Sequence, residues 1–282
     1  MLHPEGELKD LGPGLGGDPN GLCDRWLRWK AGIQYEIDFW NRWCSCKGSP
    51  WTEDFDRRTD QNSLVDQHLE GLLKRLHKPR INILDVGAGP LTCLGKNSPS
   101  CDLTLVATDP LALYYDWILS QHSISAPIRT EFALGEDLTL SYQPNSFDIV
   151  HSRNAIDHSL EPVRAIIQML NVCRIGGYVI LRHAHNEAET EKYSGFHNWN
   201  FTIEDHKFII WNRSTKIDVS ALVCDFAESE IILSDGYLIN TFKKIAEVPT
   251  EAFAEDAKRL FLFFRLLVST LVESPRAPAT SI

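Results

Sequence analysis

The chain has no surplus of positive charge: 28 Lys and Arg stand against 38 Asp and Glu, a formal net charge of −10 over 282 residues. That balance disfavours a broad electrostatic grip on nucleic acid or on an anionic membrane surface. No charged-then-apolar leader opens the sequence. Its most apolar stretch, within residues 260–268, is interrupted by Arg265 and is too short to cross a bilayer. The seven cysteines, at positions 23, 44, 46, 93, 101, 173 and 224, are odd in number and scattered. Cys44-x-Cys46 has no second pair at zinc spacing, so neither a disulfide framework nor a metal site is expected. These absences predict a reduced, cytoplasmic protein with no nucleic-acid partner, no transmembrane segment and no metal.

With 43% apolar residues, the chain can bury a substantial core, which suits one main α/β domain with additions. Residues 81–90, Ile-Asn-Ile-Leu-Asp-Val-Gly-Ala-Gly-Pro, read as a buried strand that stops in a glycine turn. Gly87 and Gly89 permit positive φ and close backbone approach, and a helix starting at Pro90 would aim its free N–H groups at a ligand. A dinucleotide site requires a small third residue in the G-x-G-x-x-G frame, and here that position is Thr92. Asp85, two residues before the first glycine, would repel a pyrophosphate and welcome an ammonium group, so a zwitterionic ligand is favoured over a phosphate. A dehydrogenase is correspondingly disfavoured.

Asp85-x-Gly87-x-Gly89 at the end of a first strand resembles the opening motif of class I S-adenosylmethionine-dependent methyltransferases. Residues 103–109 form a second apolar strand ending in Asp109, about one strand–helix–strand unit after Asp85. The resemblance makes Asp109 the acceptor for the ribose hydroxyls, with Pro110 and Leu111 as a wall of the adenine slot. Residues 128–134 read as a third strand followed by Gly135-Glu136-Asp137-Leu138, where the family places an acid, here Asp137, on the adenine amine. Residues 145–154 read as a turn and a fourth strand. The run that follows, Ala155-Ile-Asp-His158-Ser-Leu-Glu-Pro162, is similar to the ubiquinone and sterol-type methyltransferase subfamily. Ser152, Arg153 and Asn154, at the strand end, are then candidates for donor or acceptor contact. A helix from 162 to 173 ends at Gly176-Gly177, before a fifth strand at 178–182. The family order holds between residues 81 and 184, and it implies a doubly wound, mostly parallel seven-stranded Rossmann-like sheet. Residues 230–233 and 237–245 supply the terminal antiparallel hairpin.

The flanks divide as 1–21, a disordered lead-in; 22–78, an aromatic helical lobe; 79–248, the donor-binding domain; 249–273, an apolar helix; and 274–282, a disordered tail. Trp26, Trp29, Tyr35, Phe39, Trp40, Trp43 and Trp51 crowd the lobe, which either packs across the sheet edge or lids the pocket, roles that are compatible. Arg58 lies near this lobe as a candidate grip on the donor's carboxylate or a cap on the aromatics. The apolar helix or the aromatic lobe would be the contact of a homodimer. Residues 183–201 form a long polar-aromatic connection at the carboxyl edge of the sheet, and its His183, His185 and His197, with Glu187 behind them, are the candidate general bases. The implied activity is transfer of a methyl group from S-adenosylmethionine to an oxygen or nitrogen of a small molecule, such as a sugar or secondary metabolite. A peptide or protein acceptor, or a non-catalytic donor-sensing protein, are the alternatives.

Overall fold

The computed structural model describes residues 19–249 apart from residue 235. Three helices come first: α1 (Pro19–Ser45), α2 (Thr52–Thr59) and α3 (Gln67–Leu76). The α/β alternation follows with β1 (Arg80–Val86), β2 (Asp102–Thr108), α4 (Ala112–Gln121), β3 (Thr130–Glu131), β4 (Phe147–Arg153), α5 (Pro162–Val172) and β5 (Cys173–Ala184). After it come α6 (Glu187–Thr190), β6 (Asn200–Glu204), β7 (Lys207–Trp211), β8 (Lys216–Asp218), α7 (Val219–Val223), β9 (Ala227–Ser234) and β10 (Tyr237–Lys244).

The large sheet has the order β3-β2-β1-β4-β5-β10-β9. β1 pairs in parallel with β2 and β4, and β4 with β5, whereas β10 runs antiparallel to both β5 and β9. β4 is buried along six of its seven residues, as a central strand covered on both faces must be. One face packs on α5 through Ile166, Met169 and Leu170; the other packs on α3 through Leu69, Leu72 and Leu73. The expected seven-stranded, mostly parallel sheet with its terminal hairpin is therefore the architecture found. No helix among the described residues is long and apolar enough to cross a membrane.

Four local expectations give way. No helix starts at Pro90: the chain from Thr92 to β2 is irregular, because Thr92 donates its hydroxyl to Asp85 Oδ2 at 2.5 Å. Lys96 Nζ then donates to the carbonyls of Arg57 and Arg58 at 3.1 and 3.0 Å, strapping the loop to α2. The third strand shrinks to Thr130–Glu131, which pairs only with Ala107 and Thr108. The 183–201 connection is not structureless, since it forms α6 and enters β6, the first strand of a second antiparallel sheet, β6-β7-β8. Phe201, Phe208 and Ile210 of that sheet join Leu238 and Phe242 in the main core, so the insertion is packed onto the large sheet. The aromatic lobe begins with one 27-residue helix, and its start at Pro19 falls inside the expected lead-in. Residues 1–18, the apolar helix at 251–273 and the tail at 274–282 lie outside the described residues.

Lys244 closes the far end of the sheet with a side chain that has no solvent exposure. Its ammonium donates to Asn145 Oδ1 at 2.8 Å and to the carbonyls of Cys173 and Asn171 at 2.9 and 3.4 Å. Lys244→Met would take the ammonium away from Asn145 Oδ1 and from the Cys173 carbonyl, and we predict a loss of about 1–3 kcal/mol in unfolding free energy, read by urea titration.

Candidate active site

A cavity of about 670 Å³ opens at the carboxyl ends of β1, β2 and β4. Its floor is the glycine turn. Gly87 and Gly89 have φ of +70° and +66°, the left-handed region expected of them. Neither has room for a side chain: a Cβ on Gly87 would meet Ala155 Cβ at 2.3 Å, and one on Gly89 would meet the Trp40 ring at 2.7 Å. The turn is anchored to β2, with the N–H groups of Gly87 and Ala88 donating to Thr108 O at 2.8 and 3.0 Å. Asp109 accepts from the backbone N–H of Gly89 at 3.1 Å and of Leu111 at 2.9 Å. Burial raises its pKa to about 6 even though both bonds favour the anion.

Asp85, Gly87, Gly89, Asp109, Pro110, Leu111, Glu136, Arg153, Asn154 and Arg58 all line this cavity. Pro90, Asp137, Leu138 and Ser152 do not. Asp137 turns away into a buried pair with Arg164, Oδ1 to Nη2 at 2.9 Å, because the 3₁₀ turn Gly135–Leu140 is kinked at that residue. The acid presented to the cavity is its neighbour Glu136, whose Oε1 also accepts from the N–H of Leu160 at 3.0 Å. Leu138 and Ser152 are fully buried behind the wall. Asp85 reaches the cavity edge with both oxygens engaged, one by Thr92 and the other by His151 Nδ1 at 2.7 Å. Arg58 lies over Trp40 and Trp43 and bonds Asp54 at 2.6 Å and Leu91 O at 2.7 Å, so it caps the aromatic lobe while facing the cavity. Arg153 stacks on Tyr237 and has no carboxylate partner within salt-bridge distance among the described residues.

Of the three candidate bases, the structure brings only His197 to the cavity. His183 is fully buried on β5, edge-on to Phe201, with Nδ1 3.3 Å from Asp157 Oδ1. His185, two residues further on, turns to the second sheet and pairs with Thr202 Oγ1 at 2.8 Å. Asp157, which the sequence reading passed over, organises the group: its Oδ2 is 3.2 Å from His197 Nδ1 and 3.4 Å from His158 Nε2. Burial alone would raise the Asp157 pKa, but His158, His183 and His197 hold it below the usual carboxylate range. Burial pulls His197 down, yet the bond to Asp157 and the charges of Asp157 and Glu187 leave its pKa above the ordinary imidazole value. His158 goes the other way, to about 4, through burial and its histidine neighbours.

Glu36 joins the two halves of the cavity. It accepts from Trp40 Nε1 at 2.6 Å, and both Asp109 and the His197–Asp157 pair act on its charge. Burial first, and then Asp109, raise its pKa to about 7; Glu187 likewise reaches about 7 through burial and Asp157. Tyr35, Phe39, Trp40 and Trp43 complete the wall, so the aromatic lobe both packs against α4 and covers the turn.

Topology and cavity define an open α/β fold with a cavity at the carboxyl edge of its sheet, the edge at which such folds bind ligands. Residues 84–181 match the family model described as a methyltransferase domain. A curated relative, an uncharacterized methyltransferase of Schizosaccharomyces pombe, is 30% identical over 112 residues, which cover 36% of this chain and 39% of the relative. The chain thus spans about two fifths of that relative's length. Among solved structures, a putative S-adenosyl-L-methionine-dependent methyltransferase of Methanococcus maripaludis is 14% identical with a TM-score of 0.45, covering 75% of this chain and 93% of that one. The PH0226 protein of Pyrococcus horikoshii is 16% identical with a TM-score of 0.39, covering 66% and 94%.

The raised pKa of Glu36 carries a stability signature. Between about 4.5 and 7 the folded state holds a proton that the unfolded chain has released, so stability falls as pH rises through that window. We predict that Glu36→Gln raises unfolding free energy above pH 7 by about 1–2 kcal/mol, a gain discounted for solvent access that disappears below pH 4.5. Thermal melts at pH 4 and pH 8 check it.

Proposed function

We propose that the protein is an S-adenosylmethionine-dependent methyltransferase acting on an oxygen or nitrogen of a small molecule, of the sugar or secondary-metabolite kind. The observation that carries this reading is a single cavity with a donor cradle on one side and an Asp157-backed histidine on the other. The residues present fit the donor: Gly87 and Gly89 form a tight backbone turn along the cavity, where a Cβ would strike Ala155 or Trp40, and Asp109, a buried acid held by two N–H groups, lines the same cavity. Asp109 would take the ribose hydroxyls, Leu111 and Glu136 the adenine, and Arg153, which has no carboxylate partner among the described residues, the donor's carboxylate.

The donor, when bound, supplies an electrophilic methyl on a sulfonium and its own thioether leaving group. The chain's part is to align, to exclude water and to accept a proton. Trp40, Trp43, Phe39 and Phe196 exclude water and offer faces suited to a cation. His197 takes the proton released as the acceptor's oxygen or nitrogen forms its bond to carbon, and Asp157 stabilises the resulting imidazolium. His183 buttresses Asp157 from behind and is a positioning residue. A cavity with this many buried walls suits a compact acceptor more than a folded protein surface.

The experiment is labelled-methyl transfer to a panel of small hydroxyl and amine acceptors, with a pH profile on any acceptor found. We predict that kcat/KM falls on the acid side through a pKa above the ordinary histidine value, since only neutral His197 accepts a proton. Asp157→Asn moves that limb to lower pH and reduces the rate about 10²–10⁴-fold. Unchanged rates in both His197→Ala and Asp157→Asn would remove the base from this reading.

A further inference from the structure

Three ligand-type atoms converge at the acceptor side of the cavity with nearly equal spacing. His158 Nε2 and His197 Nδ1 are 3.2 Å apart, His197 Nδ1 and Asp157 Oδ2 are 3.2 Å apart, and His158 Nε2 and Asp157 Oδ2 are 3.4 Å apart. Hydrogen bonding accounts for this triangle poorly. A neutral imidazole has one N–H and one lone pair, so two nitrogens this close cannot both donate to Oδ2 without opposing their hydrogens. If one nitrogen instead accepts from the other, it takes that hydrogen away from the carboxylate. A cation at the centre satisfies all three lone pairs together.

The dimensions are those of a coordination face. Nitrogen and oxygen ligands at about 2.0–2.1 Å from a tetrahedral metal stand about 3.3–3.4 Å from one another. Two histidines and one carboxylate are a familiar donor set for zinc and other divalent transition cations with an open position. His158 and His197 both line the cavity, so that open position would face the acceptor. Behind Asp157, His183 Nδ1 lies 3.3 Å from the other carboxylate oxygen. That oxygen, Oδ1, is buried and makes no well-formed hydrogen bond. The His158 ring is further fixed against Phe196, with centroids 5.7 Å apart.

The other convergent trio, Asp85, Cys93 and His151, is fully buried, and both Asp85 oxygens are already engaged in locking the β1 turn. Asp85 and Cys93 border the cavity, but His151 does not, and no Asp85 oxygen is left free for a cation.

We propose that Asp157, His158 and His197 form a binding site for one divalent transition cation, with zinc the best match to the spacing. The cation would take an acceptor hydroxyl or a water into its open position and favour transfer of that group's proton to a carboxylate lining the same cavity, that of Glu187. In the cation-free protein the same proton goes to His197. The site refines the acceptor side of the proposed reaction, but its existence can be read without donor or acceptor.

The test is titration of chelator-treated protein with Co²⁺, followed by visible d–d absorption, and displacement with Zn²⁺. We expect one saturable Co²⁺ per chain with the intense bands of a tetrahedral centre, displaced by one equivalent of Zn²⁺. His158→Ala and His197→Ala should each weaken binding about 100-fold or more. His206→Ala, on an exposed turn, should leave it unchanged. Circular dichroism and binding of S-adenosylhomocysteine show that each variant is folded. No saturable Co²⁺ binding by the wild type, or equal binding by folded His158→Ala and His197→Ala, overturns the site and leaves the methyl-transfer reading to its own assay.

Discussion

The structure depends on one close approach, at the turn where β1 ends. Gly87 lies against Ala155 and Gly89 against Trp40, each at a distance that admits no Cβ, and both take a left-handed φ. Three parts of the chain meet there: the first strand, the segment after β4, and the long N-terminal helix. The same crowding that excludes side chains leaves the backbone as the cavity floor. Asp85 below the turn is fixed by Thr92 and His151, and Asp109 beside it by two N–H groups, so the cradle is organised before any ligand arrives.

This arrangement concentrates acids around one space. Asp109 and Glu36 both have raised pKa values because burial penalises their charge, with Asp85 adding to the first and Asp109 to the second, while Glu187 is raised by burial and Asp157. Asp157 is the exception, held ionised by three histidines. A cavity built in this way stores unfavourable electrostatics that a bound cation, whether a sulfonium or a metal ion, would relieve. The stability given up locally is offset by the cores on both faces of the sheet and by the second sheet packed onto it.

What was legible in the sequence was local. The glycine turn, Asp109 at the end of β2 and the terminal hairpin are each encoded in a short local stretch, and the alternation of strands and helices points to a mostly parallel sheet, although Gly176 and Gly177 fall inside β5 and not before it. What was hidden depends on pairings remote in sequence. Asp157 and His197 are forty positions apart and meet only because the chain returns through α6 to the cavity before entering β6. His183 and His185 look equivalent to His197 in composition, yet His183 sits within β5 and is buried in the core, whereas His185 falls just past the end of that strand, where the chain leaves the sheet and turns it toward Thr202 of the second sheet. Pro90 is a good helix opener by local rule, but Thr92 and Lys96 find stronger partners in Asp85 and in the carbonyls of α2. Asp137 and Glu136 exchange places through a kink that no spacing rule reports.

The central claim is that the cavity beside the glycine turn is a methyl-donor site in which Asp109 holds the ribose. Isothermal calorimetry of S-adenosylhomocysteine with wild type and Asp109→Ala, and with NAD as control, tests it most directly. The account predicts saturable one-to-one binding by the wild type, weakened at least about tenfold by the substitution, or about 1.4 kcal/mol, and no binding of NAD. Absence of binding by the wild type, or equal affinity in a folded Asp109→Ala protein, would contradict it.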